Sequence, residues 1–171
     1  MTSRSIAQKK QSESSEPPQN PGPELSRLDI FVGTWKMEGQ QYDGPFGPAA
    51  KITAVETYEW LIGGFFLVHR LGGRLEAAEM ACVDIIGYDD STQCYTRYSF
   101  YSNGKTNQWQ EGEVDGNWTL VGDSQIEGKT LKVRCTTVFN DSATQMDAKW
   151  ECSSDGSNWQ TFWDVKATKA A

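Results

Sequence analysis

From Asn103 onward, turn signals recur at a nearly constant interval: Asn103-Gly104, Asp115-Gly116, Glu127-Gly128, Asn140-Asp141-Ser142 and Asp155-Gly156, about 12 to 15 residues apart. Residues of these types tolerate the backbone of tight turns, and each interval leaves room for one strand. The intervening runs are Thr106 to Val114, Trp118 to Ile126, Lys129 to Phe139, Gln145 to Ser153 and Asn158 to Thr168. Strands joined so briefly must be antiparallel neighbours, so the second half of the chain reads as a meander.

The first half is less regular but follows the same period of two. From Trp35, the residues Trp35, Met37 and Gly39 alternate with Lys36, Glu38 and Gln40, and a loop rich in Gly and Pro, Asp43 to Pro48, separates this strand from the next. Lys51 to Trp60 sets Ile52, Ala54, Glu56, Tyr58 and Trp60 on one face. The corner Leu61-Ile62-Gly63-Gly64 leads into Phe65 to Leu71, which carries the single histidine, His69. Ala77 to Ile86 and Gln93 to Tyr101 complete the set around the turn cluster Gly87 to Thr92. About ten antiparallel strands close most economically into an all-β up-and-down barrel, which removes exposed edges; an open sandwich is the main alternative.

Upstream of the first strand, Pro23-Glu24 suits the start of a helix, and Leu25, Leu28 and Phe31 or Val32 recur at helical spacing. This short helix is expected to cover one mouth of the barrel, with Gly33 permitting the bend into the strand and Trp35 sealing that end. Residues 1–23, rich in Ser, Gln, Glu and Pro, cannot bury enough apolar surface to offset their ordering entropy and read as a disordered tail; residues 24–171 form the barrel domain. The tail holds Arg4, Lys9 and Lys10 against Glu13 and Glu16, a net +1, so subtracting it from the chain's net charge of -7 leaves -8 on the barrel.

That acidity, without a basic stripe, argues against nucleic acid, and no apolar run is long enough to span a bilayer as a helix. The first residues have no apolar segment after their basic ones, as a secretory signal would, so a cytoplasmic protein is expected. Cys82, Cys94, Cys135 and Cys152 are far apart and inside strand-like runs, and read as buried free thiols. Seven Trp and six Tyr offer large flat surfaces for lining a cavity.

The combination Leu28 to Gly39 (Leu-x-x-Phe-Val-Gly-Thr-Trp-x-x-Glu-Gly), Leu61-Ile62-Gly63-Gly64-Phe65-Phe66, Ile86-Gly87-Tyr88-Asp89 and Ser154 to Trp159 resembles a bacterial calycin-like family known only as a domain of unknown function. The resemblance covers roughly Leu25 to Lys169 and implies the lipocalin-like barrel of the calycin superfamily. More distantly, the opening motif is similar to that of nitrobindin-like haem proteins, which ligate haem through a histidine near the C-terminal end. Trp159 to Ala167 contains none, and no cofactor is expected.

Glu56 and His69, on strands joined by the Gly63-Gly64 corner, are candidates for an acid–base pair, since a carboxylate raises an imidazole's pKa and orients it. Tyr95, Arg97, Ser99 and Tyr101 share a face opposite Asn107, Trp109, Glu111 and Glu113. Arg97 with Glu111 makes a buried ion pair, or Arg97 holds a ligand carboxylate; in the opposite register Tyr98 and Phe100 turn inward instead. Asp84, beside Met80, Cys82 and Ile86, reads as facing a mouth. One histidine and no ligand cluster at metal spacing give no metal site.

The leading expectation is binding of a small, mainly hydrophobic ligand inside the barrel by Trp35, Met37, Tyr58, Tyr95, Arg97, Trp109, Glu111 and Trp163, with His69 beside them. The alternative is a small-molecule enzyme, an isomerase, cyclase or hydrolase, using Glu56 and His69. The expected partner is that ligand or substrate, with a homo-dimer left open and neither nucleic acid nor membrane engaged.

Overall fold

The computed structural model describes residues 20–170. The expected disordered tail, apart from residues 20–23, lies outside them. Ten antiparallel strands follow a short helix: β1 (Gly33–Gln41), β2 (Ala50–Trp60), β3 (Leu67–Leu75), β4 (Ala78–Asp89), β5 (Cys94–Tyr101), β6 (Thr106–Val114), β7 (Asn117–Ile126), β8 (Lys129–Phe139), β9 (Gln145–Ser153) and β10 (Gln160–Lys169). Each pairs with its neighbours in sequence, and β1 pairs with β10 from Trp35↔Lys169 to Gln41↔Trp163, closing the barrel. The sandwich alternative is thereby excluded.

Turn chemistry carries this connectivity. Asp115-Gly116 and Glu127-Gly128 both take positive φ and join strands paired at Val114↔Asn117 and Ile126↔Lys129, the two-residue hairpin geometry whose twist matches the flanking strands. The closing seam has a different requirement. A Cβ on Gly39 would lie 2.2 Å from the Asp164 carbonyl oxygen and 2.7 Å from the Val165 Cα, so β1 and β10 approach only because this residue has no side chain.

Three boundaries differ clearly from the expectation. Strand β4 runs on to Asp89, because Gly87, Tyr88 and Asp89, expected in the turn, pair with Thr96, Tyr95 and Cys94 of β5. Strand β3 begins at Leu67, two residues after Phe65, because Leu61 N–H donates to Phe66 O and the corner takes up the intervening chain. Strand β10 begins at Gln160, since the Asp155 carboxylate accepts from the backbone N–H groups of Ser157 and Asn158 and holds them in a turn. A register shift between Thr161 and Trp163 then lets both Phe162 and Trp163 reach the interior, against strict alternation.

The helix, α1 (Pro23–Ser26), runs directly into a tighter 3₁₀ turn over Arg27–Phe31. Leu25, Leu28 and Phe31 are buried and pack with Trp35, Leu67, Ile86, Tyr95 and Trp118. Trp35 is wholly buried; its Nε1 donates to Phe31 O at 2.7 Å and its ring meets Phe139 edge-on. The Tyr95 hydroxyl donates to Glu24 O at 2.7 Å. Apolar packing and these two hydrogen bonds thus lock the helix into one barrel end, and the polar tips of both Trp35 and Tyr95 carried into the plug have partners.

Among the cysteines, only Cys135 and Cys152 are buried; Cys82 and Cys94 are half-buried, and all four are free thiols. The uniform burial expected from their strand positions fails because alternate residues of a barrel strand face outward or sit near a rim.

Candidate functional site

Beyond the plug the barrel encloses a cavity of ≈ 550 Å³. Its wall reaches Asn103 and Lys105 after β5 and Ser124, Gln125 and Ile126 at the end of β7, so it extends toward the end opposite the helix. Phe46, from the loop between β1 and β2, stacks on Phe162 with ring centroids 4.1 Å apart and roofs part of that end. Trp109, Leu120, Val133, Cys135 and Phe162 form a mostly apolar wall. On the opposite wall strands β2 to β6 contribute a compact line of charge.

The line is built by alternation. Glu56, His69, Asp84, Arg97 and Glu111 each occupy an inward position on successive strands, and each is less than a tenth exposed. Tyr58 pairs with His69, His69 with Asp84, and Tyr95 with Glu111 in the strand register, which brings the charged tips together diagonally. Tyr98 and Phe100 consequently face outward, with 45% and 51% of their surface exposed.

His69 sits between two carboxylates: Nε2 is 3.0 Å from Glu56 Oε2 and Nδ1 is 2.8 Å from Asp84 Oδ2. A neutral imidazole has one N–H, whereas ionised carboxylates only accept, so between two ionised carboxylates it is the imidazolium that satisfies both contacts. Burial pushes the His69 pKa down, but the hydrogen bonds and charges of Asp84 and Glu56 outweigh it and the net direction is up. Asp84 moves the opposite way: burial raises its pKa, and the His69 hydrogen bond with the Arg97 charge draws it below the usual value. Tyr58 stacks on the His69 ring at 4.3 Å between centroids, an arrangement that favours the charged imidazole, and donates from its hydroxyl to Glu56 Oε2 at 3.4 Å.

Arg97 is equally committed. Its Nε and Nη2 donate to Glu111 Oε2 and Oε1 at 3.1 and 2.9 Å, and Nη1 lies 3.5 Å from Asp84 Oδ2. Burial raises the Glu111 pKa and Arg97 only partly offsets this, while Glu111 and its neighbours keep the guanidinium firmly charged. Because both Glu111 oxygens accept from the fork, the ionised carboxylate is the form this geometry holds. The expected acceptance of a ligand carboxylate by Arg97 therefore meets a guanidinium whose Nε–Nη2 edge is already filled.

One group is left over. Asp84 Oδ1 is buried without a hydrogen-bond partner. The Ser99 hydroxyl, across the β4–β5 pair, helps lower the Asp84 pKa and accepts a 2.9 Å bond from Trp109 Nε1, but makes no hydrogen bond of ordinary geometry to Oδ1. Asp84 is no mouth residue, as its sequence surroundings had implied; at 4% exposure it is the centre of the line, reached by both cations.

Of the residues expected from sequence, Met37, Glu56, Tyr58, His69, Arg97, Trp109, Glu111 and Trp163 line the cavity. Trp35 and Tyr95 lie outside its wall, because both are consumed in the plug. Asp84, Ser99, Cys135 and Phe162 are further lining residues. The sign for Asp84 was a carboxylate on the face of Met80, Cys82 and Ile86; for Phe162, which appears inside only because of the β10 irregularity, there was none.

Ligand atoms of His69, Cys82 and Asp84 fall within 4.8 Å of one another, a grouping that sequence spacing did not disclose. They fit a metal poorly. Both His69 nitrogens are engaged by carboxylates, Arg97 lies against Asp84, and burial lifts the Cys82 pKa to about 12, away from the thiolate that binds metals. The same engagement leaves His69 no free nitrogen for a haem iron. Among the described residues no helix is long and apolar enough to cross a membrane.

Residues 20–169 match a family described as "Protein of unknown function (DUF1579)". A comparison with curated proteins returns no match. Among the matching solved structures is the crystal structure of Rv2717c from M. tuberculosis, with a TM-score of 0.61 and 11% identity, covering 89% of this chain and 100% of that one. At that identity the similarity extends to the fold alone.

Proposed function

The chain belongs to the DUF1579 family of proteins of unknown function, and we propose that this member is a calycin-like barrel that binds a small, largely apolar molecule in its interior. The observation that carries the reading is the cavity itself: ≈ 550 Å³ falls within the range of about 300–1,000 Å³ typical of small-molecule sites, and mostly apolar walls carry one compact polar cluster. A barrel needing only stability would fill that space with side chains, as the helix end does. Met37, Trp109, Trp163 and Phe162 supply the apolar contact, and the charged line from Glu56 to Glu111 supplies orientation. Tyr58 and His69 stand where the two meet.

Catalysis by Glu56 and His69 is the weaker reading, since an imidazolium clamped by two carboxylates has no lone pair to act as a base. A cytoplasmic location, suggested by the free cysteines, accords with an intracellular small molecule.

Native mass spectrometry of freshly purified protein, with titration of the neutral fluorophore Nile red, tests the proposal. Binding at one site per barrel is expected, and Ala148→Trp, which fills the cavity from β9, is expected to abolish it. No adduct and no saturable binding would overturn the reading, as would binding that Ala148→Trp leaves intact.

A further inference from the structure

Resting on the ligand-binding reading above, we infer that the head group selected by this cavity is a cationic hydrogen-bond donor, an ammonium on an apolar body, received at the Asp84–Glu56 side of the charged line, and that carboxylate-headed molecules are rejected. Three carboxylates, Glu56, Asp84 and Glu111, face two cations, His69 and Arg97, within one buried cluster. With all three carboxylates ionised, the cluster holds one uncompensated negative charge even with His69 protonated.

The cluster's two cations are also largely committed. Both nitrogens of His69 and the guanidinium fork of Arg97 are already bonded to the cluster's own carboxylates. A ligand carboxylate would enter as a fourth buried anion beside a guanidinium whose Nε–Nη2 edge is already taken, in surroundings where like charges repel far more strongly than in water. An acceptor, by contrast, is left over: Asp84 is a cavity-lining side chain that is 4% exposed, and its Oδ1, itself almost wholly covered, has no partner among the described residues. A buried acceptor left unpaired is costly, so a ligand N–H that reaches it recovers what the protein alone does not. Lys105 at the outer end is the further cation lining the cavity; it is exposed, lies beyond the cluster and leaves the buried excess standing.

The test is competition against Nile red on the full chain with three probes of equal chain length, dodecylammonium, dodecanol and dodecanoate, below their aggregation thresholds at pH 7. Displacement should require about tenfold less amine than alcohol, the advantage of a charge-assisted bond over a neutral one, and dodecanoate should be the weakest. The order should persist in 0.5 M salt, which screens the acidic outer surface over about 4 Å but not a buried contact. Glu111→Gln frees the Arg97 fork and should strengthen dodecanoate about tenfold while weakening the amine. Asp84→Asn should erase the amine preference; if that variant fails to fold, the wild-type order and Glu111→Gln still decide.

Dodecanoate equal to or better than the amine in wild type, or a preference lost in 0.5 M salt, overturns the inference and leaves the ligand-binding proposal standing. Failure of Nile red and all three probes to bind overturns the proposal on which it rests.

Discussion

Replacing Arg97 by Met probes the centre of the charged line. The substitution removes two hydrogen bonds to Glu111, at 3.1 and 2.9 Å, and the 3.5 Å contact with Asp84, while nearly preserving side-chain volume. Glu111 is then a buried carboxylate with no cation, and breaking one side of such a pair typically costs about 3–5 kcal/mol. Removing both partners in Arg97→Met/Glu111→Leu deletes the stranded charge as well, so the double variant should be more stable than the single by roughly 2 kcal/mol or more. In a chain of this size about 1 kcal/mol moves the melting temperature by about 2–4 °C, so Arg97→Met should melt roughly 6–20 °C lower. Urea unfolding followed by tryptophan fluorescence, checked for an unchanged m value, reads the stability of both variants, and a thermal melt reads the temperature shift. A loss below about 1 kcal/mol, as for a solvent-exposed pair, would refute the buried-network account, and so would a double variant as unstable as the sum of its parts.

The raised His69 pKa means that the folded state keeps a proton which the unfolded state releases around 6.5, so this stabilisation is complete below that pH and lost as pH rises through the folded value. Unfolding midpoints should therefore fall from pH 6.5 toward the thiol range near about 8.5 in wild type but stay flatter in His69→Gln, and parallel profiles would contradict the assignment. Asp84, lowered from 3.8, acts in the opposite sense, its contribution disappearing only as pH drops below that value; Asp84→Asn should lose the acid limb of the urea midpoint against pH. Gly39→Ala places a Cβ 2.2 Å from the Asp164 carbonyl at the closing seam, and a loss of about 1–3 kcal/mol or more is expected; hydrogen exchange should show it centred on β1 and β10. Trp35→Phe keeps an aromatic plug but strands the Phe31 carbonyl, with an expected cost of about 1–3 kcal/mol in the same urea assay.

Barrel closure, the helix over one end and the approximate position of every strand were legible in the chain because turn residues and period-two alternation are local properties. Asp115-Gly116 and Glu127-Gly128 act through their own backbone angles, and Leu25, Leu28 and Phe31 through their own spacing. The pairs Glu56–His69 and Arg97–Glu111 were also foreseeable, since each joins strands linked by a single turn. The linking role of Asp84 was not: its contacts reach β3 and β5 at once, and their strength depends on burial that alternation does not quantify.

Sequence by itself thus determined the architecture, which residues share one face of each strand and the apolar character of the plug, because periodicity and turn chemistry act over a few residues, while the closed barrel decided which face turns inward. Tertiary structure alone decided which inward residues are free to meet a ligand. Trp35 and Tyr95 are spent on the helix, His69 and Arg97 on their neighbours, and Asp84 Oδ1 remains unpaired. Satisfaction of a hydrogen-bonding group is a property of everything packed around it, and that environment exists only once ten strands have closed into one wall.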